Sequence, residues 1–285
     1  MELEYLEPKT VEEAVSLLKK YDGKAKMIAG GTDLMVQMRD GKISPEFVLD
    51  IGGIIGLDAI HYDNRQGLTI GAMASIRSLE KSPILHEHYP ILAQAASQLG
   101  SVAIRNVGTI GGNICNASPS AETAPALLAL SASARIAGPD GVRSVLLEDF
   151  FLGPGQTVLG PAELLIEIIV SPPAPETKGV YLKHGHRGTI DLAMVGVAAV
   201  VQFSEDNQTC WVVKIGLGAV APTPIRARTA EEVIKGKKLD QSIIERCAEE
   251  AGGDTCCISD VRCCDEYREE MIKVFVRRAL CSLNV

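Results

Sequence analysis

The chain has 285 residues, 46% of them hydrophobic and 22% charged, the balance of a soluble globular protein long enough for two domains with separate cores. A formal net charge of -8 and a pI near 5.3 argue against a nucleic-acid or anionic-membrane surface, since each needs a basic footprint. The acidic start from Met1 to Pro8 lacks the basic and apolar regions of a signal peptide, and no apolar run reaches the roughly 18 residues of a membrane span, so the expectation is a cytoplasmic protein.

In chain order, Thr10-Val11-Glu12-Glu13 is a capping box ahead of Val11, Ala14, Val15 and Leu18 at helical spacing. Gly23 is placed to stop that helix. Residues 24 to 28 read as a short strand leading into Ala29-Gly30-Gly31-Thr32-Asp33-Leu34, and a helix follows from Leu34. Residues 47 to 51 form a second strand, which closes a βαβ-like unit near Gly53. A second unit begins with a strand over 67 to 71 and a helix over 75 to 81. Pro90 opens a further helix with Ile91, Leu92, Ala95, Ala96 and Leu99 on one face. The segment Ile104-Arg105-Asn106-Val107-Gly108-Thr109-Ile110-Gly111-Gly112-Asn113 follows as a second glycine loop. Next come a small-residue helix over 121 to 131 and strands over 134 to 136 and 144 to 147. Residues 171 to 178, with Pro172, Pro173 and Pro175, are the clearest linker.

Beyond the linker the pattern changes to long strands over 179 to 183, 192 to 203 and 210 to 219. Thr229-x-x-Glu232 reads as another capping box, Asp240 as a further cap, and residues 265 to 283 as a long amphipathic helix. Three strands with one apolar face predict a sheet backed by helices.

The two glycine pairs are the candidate ligand-binding segments. Adjacent glycines remove both β-carbons, so the backbone can take positive φ and a ligand can approach the main chain. Amides converging there make an anion site without a lysine, although a Gly-Gly pair is also an ordinary turn. The spacing matches neither G-x-G-x-x-G nor a Walker loop, which excludes those two phosphate sites.

Eight cysteines occur, with Cys256-Cys257 and Cys263-Cys264 adjacent and no C-x-x-C anywhere. That arrangement predicts reduced thiols rather than disulfides or a zinc or iron–sulfur site. His184 and His186 share a strand face without an evident third ligand. No nucleophilic triad or paired-carboxylate site is visible.

The segments A-G-G-T-D-L (29 to 34) and T-I-G-G-N (109 to 113) resemble the two FAD-pyrophosphate loops of the flavoprotein subunits of molybdenum hydroxylases. The similarity extends through residues 116 to 130, 149 to 155 and 216 to 224, then Asp260-Val261-Arg262, Tyr267-Arg268 and the terminal helix. It therefore covers nearly the whole chain, in order. The resemblance implies an α+β fold with a two-part FAD-binding domain of the molybdopterin dehydrogenase type over 1–173, with subdomains near 1–53 and 54–173. A smaller domain over 177–285 would follow, a three-stranded antiparallel sheet with a helical bundle.

By the same resemblance, Met27, Ile28, Ala29, Gly30, Gly31, Thr32, Asp33 and Leu34 line one side of the FAD pyrophosphate. Thr109, Ile110, Gly111, Gly112 and Asn113 line the other. Thr32, Thr109 and Asn113 offer side-chain donors, whereas Asp33 reads as a helix cap. Glu122 matches a position that is usually an aspartate contacting ribitol or ribose hydroxyls; a first-turn helix carboxylate is the alternative. Leu99 and Leu165 match apolar positions against the cofactor rings, and Lys183 a lysine near the isoalloxazine, where a cation tunes the flavin. Arg187 and Asp191 are candidates for shaping a loop over the flavin.

The resemblance further implies non-covalent FAD in an electron-transfer subunit. Its partners would be a large molybdenum-binding subunit and a small subunit with [2Fe–2S] clusters, in a dimer of heterotrimers. The molybdenum cofactor and clusters belong to those partners, and NAD or another molecule accepts the electrons. Two alternatives are a free-standing FAD-dependent oxidase or dehydrogenase, and a non-catalytic scaffold subunit.

Overall fold

The computed structural model describes residues 3–188, 190–204 and 209–284. The first part is built on a three-stranded parallel sheet with Phe47–Asp50 in the centre, Glu4–Leu6 on one side and Ala25–Ile28 on the other. The helix Val11–Tyr21 covers it, burying Ala14 and Leu18. Its cap forms as the sequence predicts: Thr10 Oγ1 accepts from the Glu13 amide at 3.2 Å. The Glu13 carboxylate reaches back one residue further than a standard box and accepts from the Lys9 amide at 2.7 Å. The edge strand Glu4–Leu6 has no sequence signal, because its three residues alternate too briefly and Tyr5 stays exposed.

The second part is a five-stranded antiparallel sheet in the order Ile60–Asp63, Gly67–Gly71, Leu164–Val170, Ser133–Gly138, Gly141–Leu146. Leu164–Val170 (LLIEIIV) is its middle strand, far from its neighbours in sequence. Helices including Pro90–Ser97 and Thr123–Ala129 pack over the sheet, and Leu68, Ile70, Leu92, Leu127, Ile136 and Ile168 lie within the shared core.

The third part is an antiparallel sheet of three long strands, Thr177–His184, Val195–Phe203 and Cys210–Gly218. A two-residue strand, Ile225–Arg226, extends its edge. Helices Arg228–Ile234, Gln241–Gly253 and Asp265–Leu283 cover one face. The expectation of a single covered face is corrected here. Alternate residues of a strand point to opposite sides, and Val195, Val197, Ala199 and Val201 enter the C-terminal core while Ala198 and Val200 enter the core of the second part. Gly216 makes that closeness possible, since a β-carbon there would lie 2.1 Å from the Pro125 carbonyl oxygen.

One predicted cap is different. The helix Arg228–Ile234 has no side-chain cap of its own. The Thr229 and Ala230 amides donate instead to Asp254 Oδ2, at 2.9 and 3.2 Å, from beyond the end of the next helix. No described helix is long and apolar enough to cross a membrane.

Candidate cofactor site

A cavity of about 640 Å³ opens where the first and second parts meet. Its first wall is the turn after the strand Ala25–Ile28. Gly31 has φ +70°, the left-handed conformation that a glycine supplies at no steric cost. The helix Leu34–Arg39 begins there. Among the described residues, the backbone amides of Gly30, Gly31, Thr32 and Asp33 have no acceptor within the chain. An amide left without an acceptor is costly unless water or a ligand supplies one, so this turn is a donor set for an anion.

The second glycine pair behaves otherwise. Gly111 and Gly112 lie inside the short helix Ile110–Cys115 and do not take positive φ, which corrects the expectation of a second open loop. Its early amides are already engaged: Ile110 with the Ala74 carbonyl, Gly111 with the Ala72 carbonyl, and Gly112 with Thr109 Oγ1. What this wall can offer is side chains. The Thr109 hydroxyl hydrogen remains available while its oxygen caps the helix. The Asn113 side-chain oxygen accepts from Thr123 Oγ1 at 2.5 Å, which leaves its amide group to donate.

Each glycine has its own steric reason. A β-carbon on Gly30 would sit 1.9 Å from the Val107 carbonyl oxygen, so the two walls touch backbone to backbone. One on Gly111 would meet the Ala72 oxygen at 2.6 Å and its β-carbon at 2.7 Å. One on Gly112 would meet only Thr109 Oγ1, at 3.0 Å, and otherwise point into the cavity. Asp33 is not a side-chain cap; its Oδ1 accepts from Asn116 Nδ2 at 3.2 Å and ties the two walls together.

Of the sequence candidates, Met27, Ala29 to Leu34, Leu99, Thr109, Gly111, Gly112, Asn113, Glu122 and Leu165 line the cavity. Three do not. Ile28 packs behind Gly31, and Ile110 is fully buried in the core. Lys183, placed by resemblance beside the cofactor rings, lies behind the wall: its ammonium donates to the Gln98 carbonyl, Glu122 Oε1 and the Asp191 carbonyl at 2.9, 2.9 and 2.6 Å. Glu122 stands between that ammonium and the cavity. Burial pushes its carboxyl above the ordinary range, and the Lys183 charge pulls the other way.

Leu164, Leu159, Ile104, Ser101 and Asn116 also line the cavity, although neither spacing nor resemblance assigns them a cofactor role. The apolar run Leu164–Val170 marks a buried strand without saying which side faces a cavity, and the others depend on packing between segments. Cys115 lies on the wall as well. Its thiol is pushed up to about 12 by burial, so it is protonated and a poor nucleophile. Ile190, Asp191 and Leu192 close one side, and the Arg187 amide donates to Asp191 Oδ2 at 2.8 Å.

His184 and His186 do not form a metal centre. Their Nε2 atoms pair with the Tyr267 hydroxyl at 3.0 Å and the Arg262 carbonyl at 2.8 Å, and no metal-binding cluster occurs among the described residues. All eight cysteines are free.

The site thus combines unpaired amides, hydroxyl and amide side chains and a buried carboxylate with leucine-rich walls. That is a fit for a ligand with an anionic middle, a polyol stretch and flat rings, as a dinucleotide has. The family "FAD binding domain in molybdopterin dehydrogenase" matches residues 1–173, and "CO dehydrogenase flavoprotein C-terminal domain" matches 180–283. The chain is 34% identical to the carbon monoxide dehydrogenase medium chain of Hydrogenophaga pseudoflava, over 97% of this chain and 95% of that one. It is 31% identical to the xanthine dehydrogenase FAD-binding subunit of Escherichia coli O157:H7, over 95% and 92%. Carbon monoxide dehydrogenase from Hydrogenophaga pseudoflava provides a structure that superposes with a TM-score of 0.94 at 35% identity, covering 99% of this chain and 96% of that chain. The chain therefore belongs to the molybdenum hydroxylase family of oxidoreductases, among the FAD-binding medium subunits of the carbon monoxide and xanthine dehydrogenase type.

Proposed function

We propose that this chain holds FAD non-covalently and carries electrons from iron–sulfur clusters of a partner subunit to an external acceptor, NAD or another. The donor set at Gly30 to Asp33, facing the Thr109 and Asn113 side chains across one cavity, is the observation that carries the reading. Thr32, Thr109 and Asn113 would supplement the amides around the pyrophosphate. Glu122 would accept from ribitol or ribose hydroxyls, as a carboxylate does well. Leu99 and Leu165 would pack on the rings. When bound, FAD supplies the exchange between one-electron carriers and a two-electron acceptor. The chain's residues bind and orient it, and the leucine walls exclude water from it. The protonated Cys115 thiol favours non-covalent retention.

The partners in this reading are a large molybdenum-binding subunit and a small iron–sulfur subunit, assembled as a dimer of heterotrimers. An absorption spectrum of the purified chain tests the first half: a flavin spectrum is expected, with FAD released on acid denaturation. Purification from the native source tests the second. Two further subunits should accompany the chain, and a lone monomer that oxidises a small organic substrate would instead be a free-standing flavoenzyme.

A further inference from the structure

Lys183 is the point where three distant segments of the cavity wall converge. It sits on the strand Thr177–His184 with a side chain only 6% exposed. Its three N–H bonds are all spent: one on Gln98, which precedes the lining residue Leu99, one on Glu122 and one on Asp191. Glu122 and Asp191 line the cavity and Lys183 does not. The ammonium's nearest counter-charge is Glu122 at 2.9 Å, whose side chain is 5% exposed, and the Asp191 carboxylate lies farther off at 3.8 Å.

The third bond holds an unusual segment. Ile190 has φ +58°, a conformation that a β-branched residue adopts only when its surroundings impose it. Its side chain is 66% exposed at the cavity mouth, beside Leu192 at 60%. The residues that follow it are held by the Lys183 bond to the Asp191 carbonyl, the Arg187 amide on Asp191 Oδ2, and Arg262 Nη1 on the Ala193 carbonyl at 3.2 Å.

We propose that Lys183 is a positioning residue, which from behind the wall fixes both the Glu122 carboxylate and the Ile190 to Leu192 segment and acts on the flavin through Glu122. The proposal rests on the FAD reading above. It differs from a direct cation–flavin contact in a way that experiment can separate. A cation touching the rings would stabilise reduced flavin on its own account. An ion pair acting as a unit is neutral, and removing both partners leaves the charge at the cavity unchanged. Replacing both members of a buried pair is also far better tolerated than removing one.

The test uses the full-length chain and the variants Lys183→Met, Glu122→Gln and the double variant, stripped of flavin and then reconstituted with FAD. In the flavin-free state, trypsin cleavage after the exposed Arg187 should accelerate at least tenfold in Lys183→Met and in the double variant, but not in Glu122→Gln, whose amide oxygen still accepts from Lys183. FAD affinity should fall at least tenfold in Lys183→Met. The oxidised–reduced equilibrium of bound flavin in the double variant should stay within threefold of wild type, about 14 mV for a two-electron couple. A double variant shifted tenfold or more, about 30 mV, and as far as Lys183→Met, would mean that the lysine touches the flavin and would overturn the proposal. Unchanged trypsin cleavage in Lys183→Met would overturn the anchoring. If Lys183→Met does not fold, the double variant, which removes the 2.9 Å pair together and leaves the Asp191 carboxylate bonded to the Arg187 amide, carries both arms. A wild-type chain that takes up no FAD would refute the cofactor reading, while the flavin-free proteolysis still decides the anchoring.

Discussion

Two glycines that look equivalent in sequence should fail in opposite ways when changed to alanine. At Gly30 the new methyl would lie 1.9 Å from the Val107 carbonyl oxygen and 2.6 Å from its carbon, far inside the roughly 3.5–4.0 Å of an ordinary contact. Both atoms are backbone, so no side chain can rotate away, and the turn must move off the second wall. Overpacking of this kind costs about 1–3 kcal/mol. At roughly 2–4 °C per kcal/mol for a domain of this size, the flavin-free chain should melt about 2–12 °C lower.

At Gly112 the methyl would meet only Thr109 Oγ1 and point into the cavity. Alanine is better than glycine in a helix by up to about 1 kcal/mol, so the melting temperature should hold or rise slightly. Flavin affinity should nevertheless fall tenfold or more. Differential scanning calorimetry of the flavin-free chains, followed by fluorescence titration with FAD, separates the cases. Full flavin affinity in Gly112→Ala, or a wild-type melt in Gly30→Ala, would refute the steric reasoning.

Gly111→Val should unfold the second part of the chain, because its β-carbon meets the Ala72 backbone; a soluble variant with native circular dichroism would contradict this. Arg268 is 1% exposed, donates to the Met194 and Ala219 carbonyls and pairs with Asp260 at 3.2 Å; Asp260 keeps Arg262 as its partner, so Arg268→Met should cost about 2–6 kcal/mol in urea unfolding, roughly 1–3 for each carbonyl left without that donor. The guanidinium of Arg262 holds the Asp260 carboxyl well below the usual carboxylate range. A depressed folded value contributes stability that is complete above the unfolded value near pH ~4 and is lost as pH falls towards the folded one. Asp260→Asn should therefore flatten the acid limb of the stability curve, and an unaltered limb would count against the pairing. In the native chain a thiol reagent should label Cys256, Cys264 and Cys281, which are exposed, long before Cys210 and Cys247, which are buried with thiols pushed up to about 11 and 12; equal rates would contradict the packing.

The sequence by itself determined what is local or periodic. The cap at Thr10, the cap at Asp240, the long strands and the terminal helix follow from neighbours within four residues or from a repeat of side-chain spacing. The two glycine segments were equally legible as the place to look for a ligand. Only the tertiary structure decided what each residue there does, because the deciding partner lies far along the chain. Gly30 is constrained by Val107, Gly111 by Ala72 and Gly216 by Pro125. Thr229 takes its cap from Asp254, and Lys183 is turned from the cavity by Glu122 and Gln98. Periodicity states that a face is buried but not against what. Hence one covered sheet face was expected where two exist, and a second open loop where a capped helix with engaged amides stands.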